Sequence, residues 1–126
     1  MKLSIVIPAY NEEKFLPGLL KSIHSQNYPC EVIVANAEST DATVMIAKAF
    51  GCKVVNARRG TPAFARNAGA SAAGGDLLLF LDADVKLPQN FLRKTVNEMY
   101  RRRYDIAGSY VQPDSKKLFD KFIISG

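Results

Sequence analysis

A chain of 126 residues, 48% apolar and 23% charged, has the length and composition of one globular domain with its own core, which leaves no room for a disordered tail. The formal charge of +5 raises nucleic acid as a partner, yet the basic residues are dispersed apart from Arg58-Arg59 and Arg101-Arg102-Arg103, which read as a solvated loop and a helix end, and no DNA- or RNA-binding motif accompanies them. Apolar runs fall well short of the ~20 residues of a membrane span, and the N-terminus turns polar at Asn11-Glu12-Glu13, too soon for a signal peptide, so a cytoplasmic location is expected, with phosphate-rich ligands or anionic lipid at the inner membrane face compatible with the charge.

Leu3 to Pro8 reads as a buried strand rich in β-branched residues and ended by proline. Ala9-Tyr10-Asn11-Glu12-Glu13 then turns into a helix, with Asn11 as its N-cap and the two acids in its first turn. Phe15, Leu16, Leu19, Leu20 and Ile23 share one helical face, and His24 beside them has no sequence partner that would make it other than structural. A second strand spans Glu31 to Asn36. The cluster Glu38-Ser39-Thr40-Asp41 behind it is a helix-start signal for Ala42 to Phe50, which Gly51 ends. Lys53 to Asn56 is a short third strand. Thr61 and Pro62 suit the cap and first position of a helix over Ala63 to Ala73, whose alanines and glycines permit close approach to a sheet or a ligand. A further helix runs from Pro88 through Arg103 with Phe91, Leu92, Val96, Met99 and Tyr100 on one face; Asp105 to Val111 is a strand candidate, and Lys116 to Ile124 is weakly helical. Cys30 and Cys52 fit no metal spacing. Each precedes a strand, so they could be neighbours, and free buried thiols are expected in a reducing cytosol, with their pairing left open.

The chemistry concentrates in Leu77 to Val85, LLLFLDADV. Five consecutive apolar residues have the character of a strand buried on both faces, and they run directly into Asp82-Ala83-Asp84. In an open α/β sheet, ligands bind at the carboxyl ends of the strands. Alternation sends Asp82 and Asp84 to one side, with Ala83 leaving space between them, and oxygen ligands without nearby His or Cys suit a hard cation such as Mg2+ or Mn2+. The competing reading is a pair of acids that ends a strand and caps the next helix.

Alternating strands and helices demand parallel pairing through right-handed crossovers, and so a three-layer α/β fold of one domain over residues 1–126. Four motifs then fall in order: P-A-Y-N-E-E after the first strand, S-T-D after the second, R-G-x-x-x-A-R-N-x-G from Arg59 to Gly69, and L-D-A-D-V after the fourth. In this order and spacing the chain resembles the nucleotide-sugar-binding half of family 2 glycosyltransferases, inverting enzymes of the Rossmann-like GT-A fold with a mainly parallel sheet. The resemblance implies that Pro8, Ala9 and Tyr10 line a pocket for the nucleotide base, that Glu12 helps shape it, and that Arg66 lies near the phosphates. It further implies that Asp82 contacts ribose or base and that Asp84, with Asp82, holds the metal bridging the diphosphate, a Lewis acid for the departing nucleoside diphosphate. Glu12 retains its simpler reading as a helix-start acid.

Two departures from the family pattern stand out. Where the family commonly has D-D-G-S-T-D, this chain has Asn36-Ala37-Glu38-Ser39-Thr40-Asp41; Asn36 can still hydrogen-bond a base or ribose, so the departure bears on nucleotide preference. The family's general base, an Asp or Glu well after D-x-D, has no counterpart in context: towards the end of the chain Asp114 and Asp120 stand in no matching motif, so the base is unassigned. The apolar end Phe122 to Gly126 reads as an interruption, with the acceptor-side half incomplete or absent. The expected partner is a nucleotide-diphosphate sugar, with sugar, base, acceptor and oligomeric state open and a lipid-linked acceptor among the candidates. A non-catalytic nucleotide-binding module completed by a longer chain or a partner is the alternative. Lys86 stands where a haloacid dehalogenase phosphatase expects Thr or Val, no G-x-G-x-x-G follows the first strand as in dehydrogenases, and no glycine-rich basic loop follows it as in nucleotidyltransferases.

Overall fold

The computed structural model describes residues 2–102, 108–109 and 121–124. Strands β1 (Leu3–Ala9), β2 (Glu31–Asn36), β3 (Lys53–Asn56), β4 (Leu77–Phe80), β5 (Gly108–Ser109) and β6 (Lys121–Ile124) form one sheet in the order β3-β2-β1-β4-β6-β5. The first four are parallel, as crossover connections require, and β6 and β5 extend the sheet antiparallel. The mainly parallel α/β architecture expected from the strand-helix alternation is therefore present.

Alternation along the strands feeds two cores. Leu3, Ile5 and Ile7 of β1, Val34 of β2 and Leu77 and Leu79 of β4 pack with Leu16, Leu19, Leu20 and Ile23 of α1 (Leu16–Ser25), Ala47 of α2 (Thr43–Ala49) and Phe91, Leu92, Val96 and Met99 of α4 (Phe91–Arg102). On the other face, Val6, Ile33, Leu78 and Phe80 pack with Ala70 and Ala73 at the end of α3 (Pro62–Ala72). Helices on both faces of the sheet make the three layers. A polar tie binds the amino ends: the Glu31 carboxylate accepts from the Gly74 N–H at 2.8 Å and the Ser4 hydroxyl at 2.7 Å, and these bonds hold it below its usual range, the Gly74 bond foremost.

Four expectations are corrected. Helix α1 begins at Leu16, not behind Asn11, because Asn11 takes a left-handed conformation (φ 50°) and spends its side chain on a neighbouring loop; Phe15 consequently lies outside the helix and is 54% exposed. Tyr100 is 64% exposed, since at 100° per residue it falls beyond the arc that Phe91, Met99, Leu92 and Val96 bury. The fourth helix starts at Phe91 after a turn through Asn90 (φ 62°), three residues later than Pro88. Residues 121–124, read as weakly helical, form β6: Phe122, Ile123 and Ile124 favour extended backbone, and the open edge of β4 supplies the partner. Gly108–Ser109 falls inside the Asp105 to Val111 strand candidate, while Arg103, Asp114, Asp120 and the rest of both terminal segments lie outside the described residues.

The small residues of α3 have a measurable purpose. A Cβ on Gly69 would sit 2.3 Å from Cγ1 of Val6, a stiff, fully buried side chain of β1, so the helix reaches the sheet only through glycine. Gly69→Ala is expected to lower the unfolding free energy in urea by about 1–3 kcal/mol through overpacking, outweighing the ~1 kcal/mol by which alanine favours a helix. An unchanged or raised midpoint would show that α3 does not approach this closely.

Candidate functional site

Three loops meet at the carboxyl edge of the sheet, and side-chain bonds tie two of them together. The Asn11 N–H donates to Ser39 Oγ (2.9 Å), the Glu12 N–H to Thr43 Oγ1 (2.9 Å) and the Glu13 N–H to Asp41 Oδ2 (3.2 Å); in return the Thr40 N–H donates to Asn11 Oδ1 (2.7 Å) and the Ala42 N–H to Glu13 Oε1 (2.9 Å). The S-T-D cluster thus does more than start α2. It satisfies the backbone of the turn after β1 and fixes where Tyr10 and Glu12 stand.

Beside this latch lies a cleft of about 580 Å³ walled by Pro8, Ala9 and Tyr10 from the first loop, Ala37 from the second, Arg59, Gly60, Thr61, Pro62 and Ala65 from the start of α3, and Asp82. Tyr10 is 39% exposed, and the Arg59 guanidinium lies over its ring with Cζ 4.1 Å from the centroid. The Arg59 N–H donates to Glu38 Oε2 at 2.9 Å. Arg58 covers Phe64 at 4.2 Å. The Arg58-Arg59 pair, read from sequence as a solvated loop, is therefore stacked on two aromatic rings, and Arg59 faces the cleft. Its signal in the sequence is that it opens the R-G-x-x-x-A-R-N-x-G stretch.

Strand β4 ends at Phe80, but the in-out alternation continues past it: Leu81, Ala83, Val85 and Leu87 are buried, while Asp82, Asp84 and Lys86 are exposed. Both aspartates are thus exposed, with buried alanine between them, in a turn that the Val85 N–H closes on the Asp82 carbonyl at 3.3 Å. Glu12, half-buried, has its carboxyl pushed above the usual range, first by burial and then by the charges of Asp84, Asp82 and Asp41. The acids of three loops accordingly feel one another at the carboxyl edge of the sheet, although of these only Asp82 lines the cleft. Among the described residues no group of three His, Cys, Asp or Glu side chains stands close enough to hold a metal by itself. Two exposed carboxylates suit a hard divalent ion that draws its remaining oxygens from a ligand and water.

The other expected residues are placed as follows. Asn36 is 8% exposed; its Oδ1 accepts the Ser39 N–H (3.1 Å), its Nδ2 donates to Asn56 Oδ1 (3.3 Å), and the neighbouring Ala37 forms the cleft wall. Arg66 is half-buried on α3 next to Ala65, which takes the wall position. Cys30 and Cys52 are free thiols at the other end of the strands, where with His24 they line a second cavity of about 410 Å³ that has no carboxylate in its wall. Burial, with Cys30 close by, pushes the Cys52 thiol up to about 11.

A doubly covered, mainly parallel sheet with its acid pair at the carboxyl edge is the GT-A architecture, and known proteins bear this out. The glycosyl transferase family 2 model matches residues 4–123, and the chain belongs to that family. The 4,4'-diaponeurosporenoate glycosyltransferase of Staphylococcus haemolyticus is 36% identical over 118 residues, covering 88% of this chain and 32% of that protein. Its namesake in Staphylococcus aureus strain USA300 is 38% identical over 132 residues, covering 95% and 34%. The crystal structure of S. aureus TarS 1-349 in complex with UDP matches at a TM-score of 0.76 and 27% identity, covering 90% of this chain and 37% of that one. The chain spans about a third of the length of the curated relatives it matches. No helix among the described residues is long and apolar enough to cross a membrane.

Because the folded protein holds the Glu12 proton more tightly than the unfolded chain does, this group favours folding at low pH, and its contribution is lost as pH rises from the usual glutamate range through the raised value. Glu12→Gln is expected to raise the thermal midpoint at pH 7 in metal-free buffer, with the gain shrinking to nothing as pH falls below the glutamate range. A pH-independent difference would mean that the Glu12 charge is not what the fold works against.

Proposed function

We propose that this chain is the nucleotide-sugar-binding domain of a glycosyltransferase that transfers a sugar from a nucleoside diphosphate to a hydroxyl acceptor. The observation that carries the reading is the joining of Tyr10 and Asp82 in one cleft, with Glu12 coupled electrostatically to Asp84 and Asp82. Pro8, Ala9 and Tyr10 offer an apolar wall with an aromatic ring for a base, and Asp82 offers acceptor oxygens for ribose hydroxyls. Glu12 shapes the pocket from the held turn, and Asn36 acts from behind the wall by fixing Ser39. Arg66, a turn into α3, is the guanidinium assigned to the phosphates. Ala83 keeps its two neighbours facing outward without filling the space between them.

Asp84, with Asp82, would hold a Mg2+ or Mn2+ ion, which when bound supplies Lewis-acid neutralisation of the departing diphosphate. The chain's own part is to orient the donor: base on Tyr10, ribose at Asp82, diphosphate toward Asp84. The UDP complex of TarS supports a uridine nucleotide. A membrane-surface acceptor fits the charge of +5. No residue of this chain is assigned as the general base that would take the acceptor proton.

Calorimetric titration with UDP, GDP and their sugars, with and without Mn2+, tests the reading. Metal-dependent binding of at least one nucleotide is expected, weakened by ~10- to 100-fold in Asp84→Asn, the loss of one or more charge-assisted contacts worth about 1.5–3 kcal/mol. No nucleotide binding under any combination would end it.

A further inference from the structure

One face of the Tyr10 ring, which the proposed reading gives to the nucleotide base, is already covered by a residue that lines the same cleft. The Arg59 guanidinium sits over the ring at 4.1 Å, and a stacked base needs the same space, since planar groups in contact lie about 3.5–4.0 Å apart. The base and the guanidinium cannot both lie directly on this face.

The way Arg59 is mounted shows which of them gives way. Its backbone is pinned: the N–H is bonded to Glu38 Oε2, and Glu38 itself is locked in a left-handed conformation (φ 59°). On the other side, Gly60 adopts φ 147° with the Phe64 ring packed where a side chain would lie, a Cβ there falling 2.6 Å from Cε2, and Arg58 lies over the Phe64 ring at 4.2 Å. The Arg59 side chain, in contrast, is exposed and reaches the cleft through a flexible stem. A fixed base carrying a movable planar cation has the form of a clamp.

Resting on the proposed nucleotide-binding reading, we propose that Arg59 is a binding residue for the nucleobase: its guanidinium lifts from Tyr10 as the base enters and closes over the base's other face, sandwiching it between phenol and guanidinium. The contribution is to the base and not to the phosphates, it depends on the planar shape of the cation, and it does not distinguish sharply among bases, because every base has a π-face. Arg59 thus complements Arg66, the guanidinium assigned to the phosphates.

The experiment compares uridine, which carries no phosphate, with UDP and Mn2+, followed by NMR titration of the Tyr10 ring protons in wild type, Arg59→Ala and Arg59→Lys. Both variants alter an exposed side chain and should retain the wild-type thermal midpoint, which is measured alongside. Arg59→Ala is expected to weaken both ligands ~10-fold, the scale of one stacking contact. Arg59→Lys, which keeps the charge and loses the plane, is expected to lose most of the uridine affinity as well. Unchanged uridine binding in both variants, with UDP binding lost in Arg59→Ala and restored in Arg59→Lys, would assign Arg59 to the phosphates and overturn the clamp. Unchanged binding of both ligands would also overturn it, while wild-type binding of UDP would leave the proposed function standing. A wild type that binds neither ligand would remove both.

Discussion

The structure depends on the parallel pairing of β1 with two partners at once. Strands that run the same way end at the same edge, so pairing β1 with β2 and β4 delivers three loops to one place. The register settles which residues arrive there, with Ala9 beside Asn36 and Val6 beside Phe80. Hydrogen bonding continues one step past the strand ends, from the Ala37 N–H to the Ala9 carbonyl (2.8 Å), from Ala57 to Asn36 (2.8 Å) and from Leu81 to Val6 (3.0 Å), which carries the order of the sheet into the loops. A slip by one residue would turn Asp82 inward and Ala83 outward, exchanging a polar rim for an apolar one.

What the sheet brings together, the loops must then hold apart. Asn11 and Glu38 occupy left-handed backbone, at a cost of about 1–2 kcal/mol for a residue with a Cβ and somewhat less for asparagine. Each is offset locally, Asn11 by bonds to Ser39 and Thr40 and Glu38 by its bond to the Arg59 N–H. The carboxylates are a second tension. Asp41 and Glu13 are used as acceptors inside the latch, whereas Asp82 and Asp84 face outward and raise the proton affinity of Glu12. A cluster of like charges left at the rim and facing solvent does nothing for folding; it is an arrangement that favours a cation or a ligand bearing one.

Much of this was legible in the chain itself. The apolar runs of β1, β2 and β4 state the sheet, and the alternation of apolar and polar residues from Leu81 to Leu87 states which of them are buried. Where the reading faltered, a long-range bond had displaced a local preference. Asn11 has the chemistry of a helix cap and serves instead as the acceptor for Thr40, twenty-nine residues away, and no local pattern can distinguish those uses. The Asn36 amide is likewise occupied by long-range and loop bonds, to Asn56 and Ser39, and the neighbouring Ala37 stands on the cleft wall. Arg59 looks like any solvated arginine until Tyr10, forty-nine positions earlier, is seen beneath it. The stretch 121–124 needed the open side of β4 to become a strand.

The outermost parallel strand, β3, has four residues, with exposed Lys53 and Asn56 at its two ends, and the Lys53 ammonium is bonded to the Ala72 carbonyl at 3.1 Å. A strand at a sheet margin invites a stranger's backbone to add itself, and the usual defences are brevity and charge. Both are present here. This margin is a poor seed for sheet-to-sheet self-association, and the parallel half of the molecule can keep the cleft at its carboxyl edge open without becoming sticky along its side.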